Sequence, residues 1–222
     1  MVDLEALTPA ELARQLGHPE GEVGLIVAES LNSINHWVNE AIFHRLGLDF
    51  GSRVLELGFG NGHLIPGLMR HARGMSYVGI DKSPTMVDEA MRFNRTLVAS
   101  GQAAFHCGSA EDMPFPDSSF DRAFGAGVVY FWAEPVKALA EIRRVLRSGG
   151  KSILASMLPR AAETKEFARP EFGFRVYDGD ALIALHQAAG FSRVVVETYE
   201  ETENRSDGST GVLRVLFTIA EA

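Results

Sequence analysis

The sequence predicts an α/β protein: a doubly wound, mostly parallel seven-stranded sheet whose last two strands form an antiparallel hairpin. Three observations carry this expectation. Short apolar runs alternate with helical stretches, the pattern of a parallel sheet covered on both faces. The first run ends in glycines spaced two apart, VLELGFGNGHL at 54–64. The last two runs are joined only by a polar, glycine-containing link, with no helix between them.

In chain order, Thr8-Pro9-Ala10-Glu11 opens a helix, with a capping hydroxyl, proline at the first helical position and glutamate at the third. NSINHWVNEAIFHRL at 32–46 also reads as helical. Residues 1–50 are therefore expected to form a helical cap ahead of a core at 51–222. Strands are expected at 53–58, 76–81, 103–107, 120–126, 152–158, 192–199 and 212–219. A helix from His63 to about His71 should follow the glycines. Ser83-Pro84 starts another, with Met86, Ala90, Phe93 and Leu97 on one face and Gly101 as its stop. A third runs from about Pro135 to Arg147, with Leu139, Ile142 and Leu146 on one stripe and Ser148-Gly149-Gly150 at its end. Residues 159–179 form an insert between the fifth strand and the last helix, expected to act as a lid. Glu200, Glu201 and Glu203 read as a solvated loop in the terminal link.

Composition excludes several function classes. Hydrophobic residues make up 46% of the 222 and charged residues 23%, ordinary globular usage. The net charge of −8 and the lack of a basic stripe argue against a long nucleic-acid contact. A single cysteine, Cys107, excludes an intrachain disulfide and a cysteine-based zinc cluster. No set of His and carboxylates has metal-ligand spacing. The opening MVDLEALTPAEL is acidic without a long apolar segment, and no run reaches the roughly 18 apolar residues that span a bilayer. A cytoplasmic monomer or homodimer is expected, with a small-molecule substrate and no membrane span.

A strand that runs into Gly58-x-Gly60-x-Gly62 brings bare backbone to the carboxyl end of the sheet, where ligands bind. The dinucleotide fingerprint GxGxxG would need glycine at His63, so the loop here is more open. Glu56 would repel a diphosphate but can hold an ammonium. Asp81, at the end of the next strand, is placed to accept both hydroxyls of a ribose. Together they suit an adenosine with an amino-acid tail, S-adenosyl-L-methionine.

The blocks VLELGFGNGHL, YVGIDKSPTMVDEA, CGSAEDMPFPDSSFD and AEIRRVLRSGGKSILA, in that order, resemble class I S-adenosylmethionine-dependent methyltransferases with a Rossmann-like fold. The likeness is to the group related to ubiquinone and menaquinone biosynthesis, and it covers about residues 50–160. It implies that Glu56, Gly58 and Gly60 line the methionine part and that Asp81 takes the ribose. It places Lys82 and Met86 beside the adenine, has Ser109, Ala110 and Glu111 reach the adenine edge, and lets Gly127 close the pocket. Many relatives carry Asp where Ser109 stands, and a hydroxyl bonds the adenine amine less strongly than a carboxylate.

The segment after the fourth strand, GVVYFWAEP, should overlook the sulfonium. Tyr130, Phe131 and Trp132 form an aromatic wall for the acceptor, or else pack the start of the next helix. The Asn/Asp-Pro-Pro-aromatic motif of base and amide methyltransferases is absent, which leaves a small organic acceptor. Candidate bases are His36, Tyr130, Tyr177 and Asp178, with His36 and Tyr130 preferred. Trp37, Phe131, Trp132 and Tyr177 are candidate substrate contacts, with Phe167, Phe172 and Phe174 on the insert. Methyl transfer is the main expectation. The alternatives are a non-catalytic S-adenosylmethionine sensor and an NAD-dependent oxidoreductase, the latter disfavoured by His63 and Glu56.

Overall fold

The computed structural model describes residues 6–204 and 210–222. The chain opens with helices α1 (Pro9–Gly17) and α2 (Gly21–Leu46). Strand β1 (Arg53–Leu57), helix α3 (Ile65–Leu68), strand β2 (Ser76–Asp81), helices α4 (Pro84–Phe93) and α5 (Arg95–Ala99), and strand β3 (Ala103–Cys107) follow. Then come β4 (Phe120–Ala126), α6 (Pro135–Val145), β5 (Leu146–Met157), α7 (Pro159–Ala162), α8 (Gly179–Ala188), β6 (Arg193–Asn204) and β7 (Thr210–Glu221). The sheet order is β3-β2-β1-β4-β5-β7-β6. The first five strands run parallel, and β7 lies antiparallel between β5 and β6. This is the expected doubly wound sheet with its terminal hairpin.

Both faces are apolar because the central strands are sandwiched. On one face, Ile42, Phe43 and Leu46 of α2 pack on Val54, Phe124 and Phe217. On the other, Leu139 and Ile142 of α6 and Leu182 of α8 cover Leu55, Leu57 and Phe120. The pleat thus turns Val54 toward α2 and Leu55 away from it, and Glu56 shares the α2 side with Tyr77. Helix α2 ends at Gly47 in left-handed conformation, and the Arg122 guanidinium donates to the Gly47 carbonyl at 2.8 Å. Arg45 fixes the same end to the hairpin, pairing with Glu197 at 2.8 Å over the Tyr199 and Phe217 rings. No described helix is long and apolar enough to cross a membrane.

Four details depart from the sequence reading. The helix after the glycines is four residues, not nine: Gly67 directly behind Pro66 lowers the gain per residue, and one nucleated turn does not propagate. The helix from Pro84 breaks at Asn94, whose side-chain amide donates to the carbonyls of Gly62 and Ala90 at 2.9 and 3.0 Å. Here a tertiary contact to the glycine loop overrides helix continuity. Leu146 is already extended and pairs with Phe120, so Gly149 and Gly150 lie inside the irregular start of β5 and not in a turn. Finally, Glu200 and Glu201 are strand residues of β6. Glu200 pairs with Arg214 across the ladder at 2.5 Å, and the Tyr199 hydroxyl donates to Glu201 at 2.7 Å. The middle of the link, 205–209, lies outside the described residues.

Candidate functional site

A cavity of about 440 Å³ opens at the carboxyl ends of β1, β2 and β4, where the strand order reverses. This is the crevice a doubly wound sheet offers to ligands, and its size falls in the range of small-molecule sites.

Its floor is the loop after β1. Gly58 has φ +64°, and a Cβ there would sit 2.4 Å from the Val128 side chain, so a larger residue would be strained and would have to displace it. Gly60 has φ +60°, and a Cβ there would meet nothing within 4 Å. Bare main chain at Gly60 therefore faces open cavity. The Gly60 N–H donates to one carboxylate oxygen of Asp81 at 3.0 Å, and the Ser83 N–H donates to the other at 2.9 Å. Asp81 is only 8% exposed yet lines the cavity. Each of its oxygens keeps a lone pair beyond the one backbone bond it accepts. Burial raises its pKa, opposed by the two backbone bonds and by Lys82 and His18.

Glu56 also lines the cavity and accepts from the Tyr77 hydroxyl at 2.7 Å. Burial pushes its carboxyl up to about 7, with the Tyr77 bond opposing and the Asp81 charge adding. An uncompensated carboxylate this deep calls for a cation. Bare backbone at Gly60, an acceptor pair at Asp81 and an acid at Glu56 fit a ligand that joins a nucleoside to an ammonium.

The remaining walls come from elements distant in sequence. The N-terminal segment folds across the cavity. The Ser83 hydroxyl donates to the Pro19 carbonyl, and the Gly21 N–H donates to Thr85 at 3.3 Å. Gly17 abuts Phe131 so closely that a Cβ would lie 2.7 Å from its ring. Asn32, Asn35 and Asn39 of α2, spaced three and four apart, form a polar stripe along the cavity. Asn39 is buried, donates to the Asn35 carbonyl at 2.9 Å, and its amide oxygen has no partner. Opposite stand Phe131, Trp132, Phe167 and Phe174. Phe174, 2% exposed, stacks on Tyr130 at 4.4 Å and meets Phe131 edge-on at 5.1 Å. The insert is tied down where Arg175 donates to the Ala133 carbonyl at 2.9 Å.

Of the residues expected from sequence, Glu56, Gly58, Gly60, Asp81, Lys82, Ser109, Ala110, Glu111, Gly127, Tyr130, Phe131 and Trp132 all line this cavity. Lys82 also sits over the Phe131 ring at 6.0 Å. The Glu111 carboxylate is committed, accepting from the Glu134 N–H at 2.9 Å. Met86 does not line the cavity: it is fully buried on the inner face of α4, because the helix start that caps at Ser83 turns it into the core. His36 is exposed and outside the cavity, since α2 turns its asparagine face inward instead. Trp37, on the next face, stacks on Tyr199 at 5.7 Å and lines a smaller chamber alongside. Tyr177 packs on the core outside the cavity, and Phe172 lies outside it as well. Asp178 is the N-cap of α8, accepting from Ala181 at 2.8 Å. The Tyr130 hydroxyl accepts from the Met157 N–H, and burial holds its pKa far above the ordinary phenol value. That is a poor arrangement for a base. The asparagine stripe is not among the residues the sequence singles out, although its three-and-four spacing surrounds His36.

Residues 55–154 match the family described as Methyltransferase domain. The uncharacterized methyltransferase YdaC of Bacillus subtilis (strain 168) is 28% identical over 174 residues, 78% of this chain and 88% of that protein. The chloroplastic 2-methyl-6-phytyl-1,4-hydroquinone methyltransferase 1 of Oryza sativa subsp. japonica is 33% identical over 104 residues, 47% of this chain but only 30% of that protein. A solved S-adenosylmethionine-dependent methyltransferase from Aquifex aeolicus superposes with a TM-score of 0.63 over 96% of this chain and 98% of that one. At 20% identity, that is a likeness of fold.

Proposed function

We propose that the chain is a class I S-adenosylmethionine-dependent methyltransferase and that it methylates a small, apolar or aromatic organic acceptor by in-line displacement. One observation carries the proposal: a single cavity has a bare-backbone and carboxylate floor on one side and an aromatic wall on the other. When bound, the cofactor supplies an electrophilic methyl on a sulfonium. Transfer of that methyl to an acceptor oxygen or nitrogen would leave a neutral thioether and release the acceptor's proton to solvent.

Asp81 holds the ribose hydroxyls with the lone pairs its backbone bonds leave free. Glu56 holds the ammonium, losing its proton as it does so. The loop at Ser109 and Ala110 lies along the adenine edge. Phe131, Trp132, Phe167 and Phe174 hold the acceptor's apolar body, and the asparagine stripe of α2 reads its polar groups. Neither of the two preferred bases, His36 and Tyr130, is arranged to take a proton. Alignment of acceptor and methyl therefore carries the acceleration, for which effective molarities of about 10⁵ M and above are available. The rice relative's name, a hydroquinone methyltransferase, agrees with an aromatic acceptor.

The test is S-adenosylhomocysteine formation across a panel of phenols, hydroquinones and amines at saturating cofactor. Turnover with at least one aromatic acceptor is expected. Tight cofactor binding without turnover on any panel member would overturn the acceptor assignment.

A further inference from the structure

We infer that Tyr77, which does not line the cavity, is a positioning residue for the cofactor: its hydroxyl holds one oxygen of Glu56 and leaves the other for the ammonium of the amino-acid tail. The inference rests on the methyl-transfer reading, with Glu56 as the partner of the ammonium, and deepens it.

Strand pairing brings the two side chains together. Glu56 of β1 lies directly opposite Gly79 of β2, and Tyr77 stands two residues before that glycine, on the same face of its strand. A Cβ at Gly79 would lie 2.7 Å from the Tyr77 hydroxyl oxygen and 2.5 Å from the Phe59 ring. The side chain missing at Gly79 therefore leaves the space the phenol uses to reach the neighbouring strand. Phe105 packs against both rings, 5.7 Å from Tyr77 and 5.1 Å from Phe59.

The two ends of the bond differ in exposure. Tyr77 is 1% exposed and sits in the core with Val54, Ile65 and Leu68, whereas Glu56 is half-buried and lines the cavity. Tyr77 donates to Glu56 Oε2 at 2.7 Å. The described residues donate no hydrogen bond to Oε1, and Oε1 keeps accessible surface. A carboxylate only accepts, so a fixed donor on one oxygen leaves the other for a cation.

The same bond favours the form of Glu56 that an ammonium needs. Burial raises the Tyr77 pKa, so the phenol stays protonated and donates. Its bond to Glu56 opposes the effect of burial there and supports the ionised carboxylate. Of the other ionisable groups lining the cavity, His63, Asp81, Lys82, Glu111 and Tyr130, Asp81 alone acts on that equilibrium, and it opposes ionisation.

The experiment compares two probes by calorimetry on the full chain. One is S-adenosylhomocysteine. The other is 5′-methylthioadenosine, which keeps the nucleoside and thioether but has no amino-acid tail. Tyr77→Phe should weaken S-adenosylhomocysteine roughly tenfold or more at pH 7, the effect of one bond to a charged group. It should leave 5′-methylthioadenosine within about twofold, which also reports that the variant folds. The loss should narrow as the pH is raised from 6.5 to 8.5, because rising pH ionises the carboxyl without the phenol's help. On a Glu56→Gln background, adding Tyr77→Phe should cost S-adenosylhomocysteine less than about twofold, since the two residues act as one unit. Equal weakening of both probes, or the same loss on the Glu56→Gln background, would leave Tyr77 a structural residue and overturn the inference. So would S-adenosylhomocysteine affinity untouched by Tyr77→Phe. Glu56→Gln alone without effect on S-adenosylhomocysteine would instead overturn the ammonium assignment, and a wild-type chain that binds no S-adenosylhomocysteine would overturn the methyl-transfer reading beneath both.

Discussion

Two walls of the same cavity are made of different material. At the ends of β1 and β2 the wall is main chain, with Gly58 and Gly60 in left-handed conformation and Asp81 bridging the Gly60 and Ser83 N–H groups. All of it lies within about 30 residues of sequence. Across the opening the wall is side chain: asparagines from α2, aromatics from beyond β4, and Phe167 and Phe174 from the insert. A backbone wall is dictated by local conformation and tolerates almost no substitution. A side-chain wall is assembled from distant segments and can change its residues while the fold persists. The first kind suits a ligand common to a whole family and the second an acceptor particular to one member.

The largest expected effect breaks the backbone wall. Asp81→Ala should weaken S-adenosylhomocysteine at least 100-fold in calorimetry, since two charge-assisted bonds at about 1.5–3 kcal/mol each are lost. Asp81→Asn, which keeps one acceptor oxygen, should lose less. Micromolar affinity retained by Asp81→Ala would place the sugar elsewhere. Next comes Gly58→Ala. A Cβ 2.4 Å from Val128, at φ +64°, combines left-handed strain with overpacking. A cost of about 2–4 kcal/mol in chemical denaturation is expected. Gly58→Ala with Val128→Ala should recover the overpacking part and leave the strain, which separates the two causes.

Legibility in the sequence followed the same division. The sheet, its order-reversing crevice, the glycine loop and Asp81 follow from local signals: apolar runs, turn glycines, capped helix starts. Glu56 reads as a cation holder from its place before the glycines, but its partner Tyr77 arises only from β1–β2 pairing. The side-chain wall was half legible. Phe131 and Trp132 follow β4 directly and were in view, whereas Asn32, Asn35 and Asn39 reach the cavity because α2 packs across the sheet with that face inward. His36 drew attention by its chemistry, yet helical phase turns it to solvent. Asn94 broke a predicted helix for a related reason, since its partner Gly62 lies 32 residues earlier.

A smaller effect sharpens the comparison through pH. Glu56 is shifted from an ordinary 4.5 up to about 7, chiefly by burial. Between those values the folded free protein keeps a proton that the unfolded chain has lost, so Glu56 favours folding fully below about pH 4.5 and its contribution fades as pH rises to about 7. Ligand binding runs the other way. An ammonium placed beside Glu56 favours the ionised form, so affinity for S-adenosylhomocysteine should rise about tenfold from pH 5.5 to 7.5. Asp81 is also raised by burial, against its backbone bonds from Ser83 and Gly60. Glu56→Gln should flatten most of it. A flat wild-type profile would mean the ammonium is held by another group.

The smallest expected effect lies where the two walls meet. Tyr130 lines both the cavity and the smaller chamber alongside, its ring stacks on Phe174 at 4.4 Å, and its hydroxyl accepts from the Met157 N–H. A base there would have to be a phenolate, which burial disfavours, as the raised pKa reflects. Tyr130→Phe keeps the ring and leaves the Met157 N–H without its acceptor, so a stability loss of about 1–2 kcal/mol is expected. Turnover should fall less than tenfold, and the pH profile of kcat should keep its shape. Removing a general base ordinarily costs about 100-fold or more and reshapes that profile. A loss of that size, with an altered profile and unchanged cofactor affinity, would make Tyr130 a proton acceptor. The aromatic wall would then take part in the chemistry and not only in positioning.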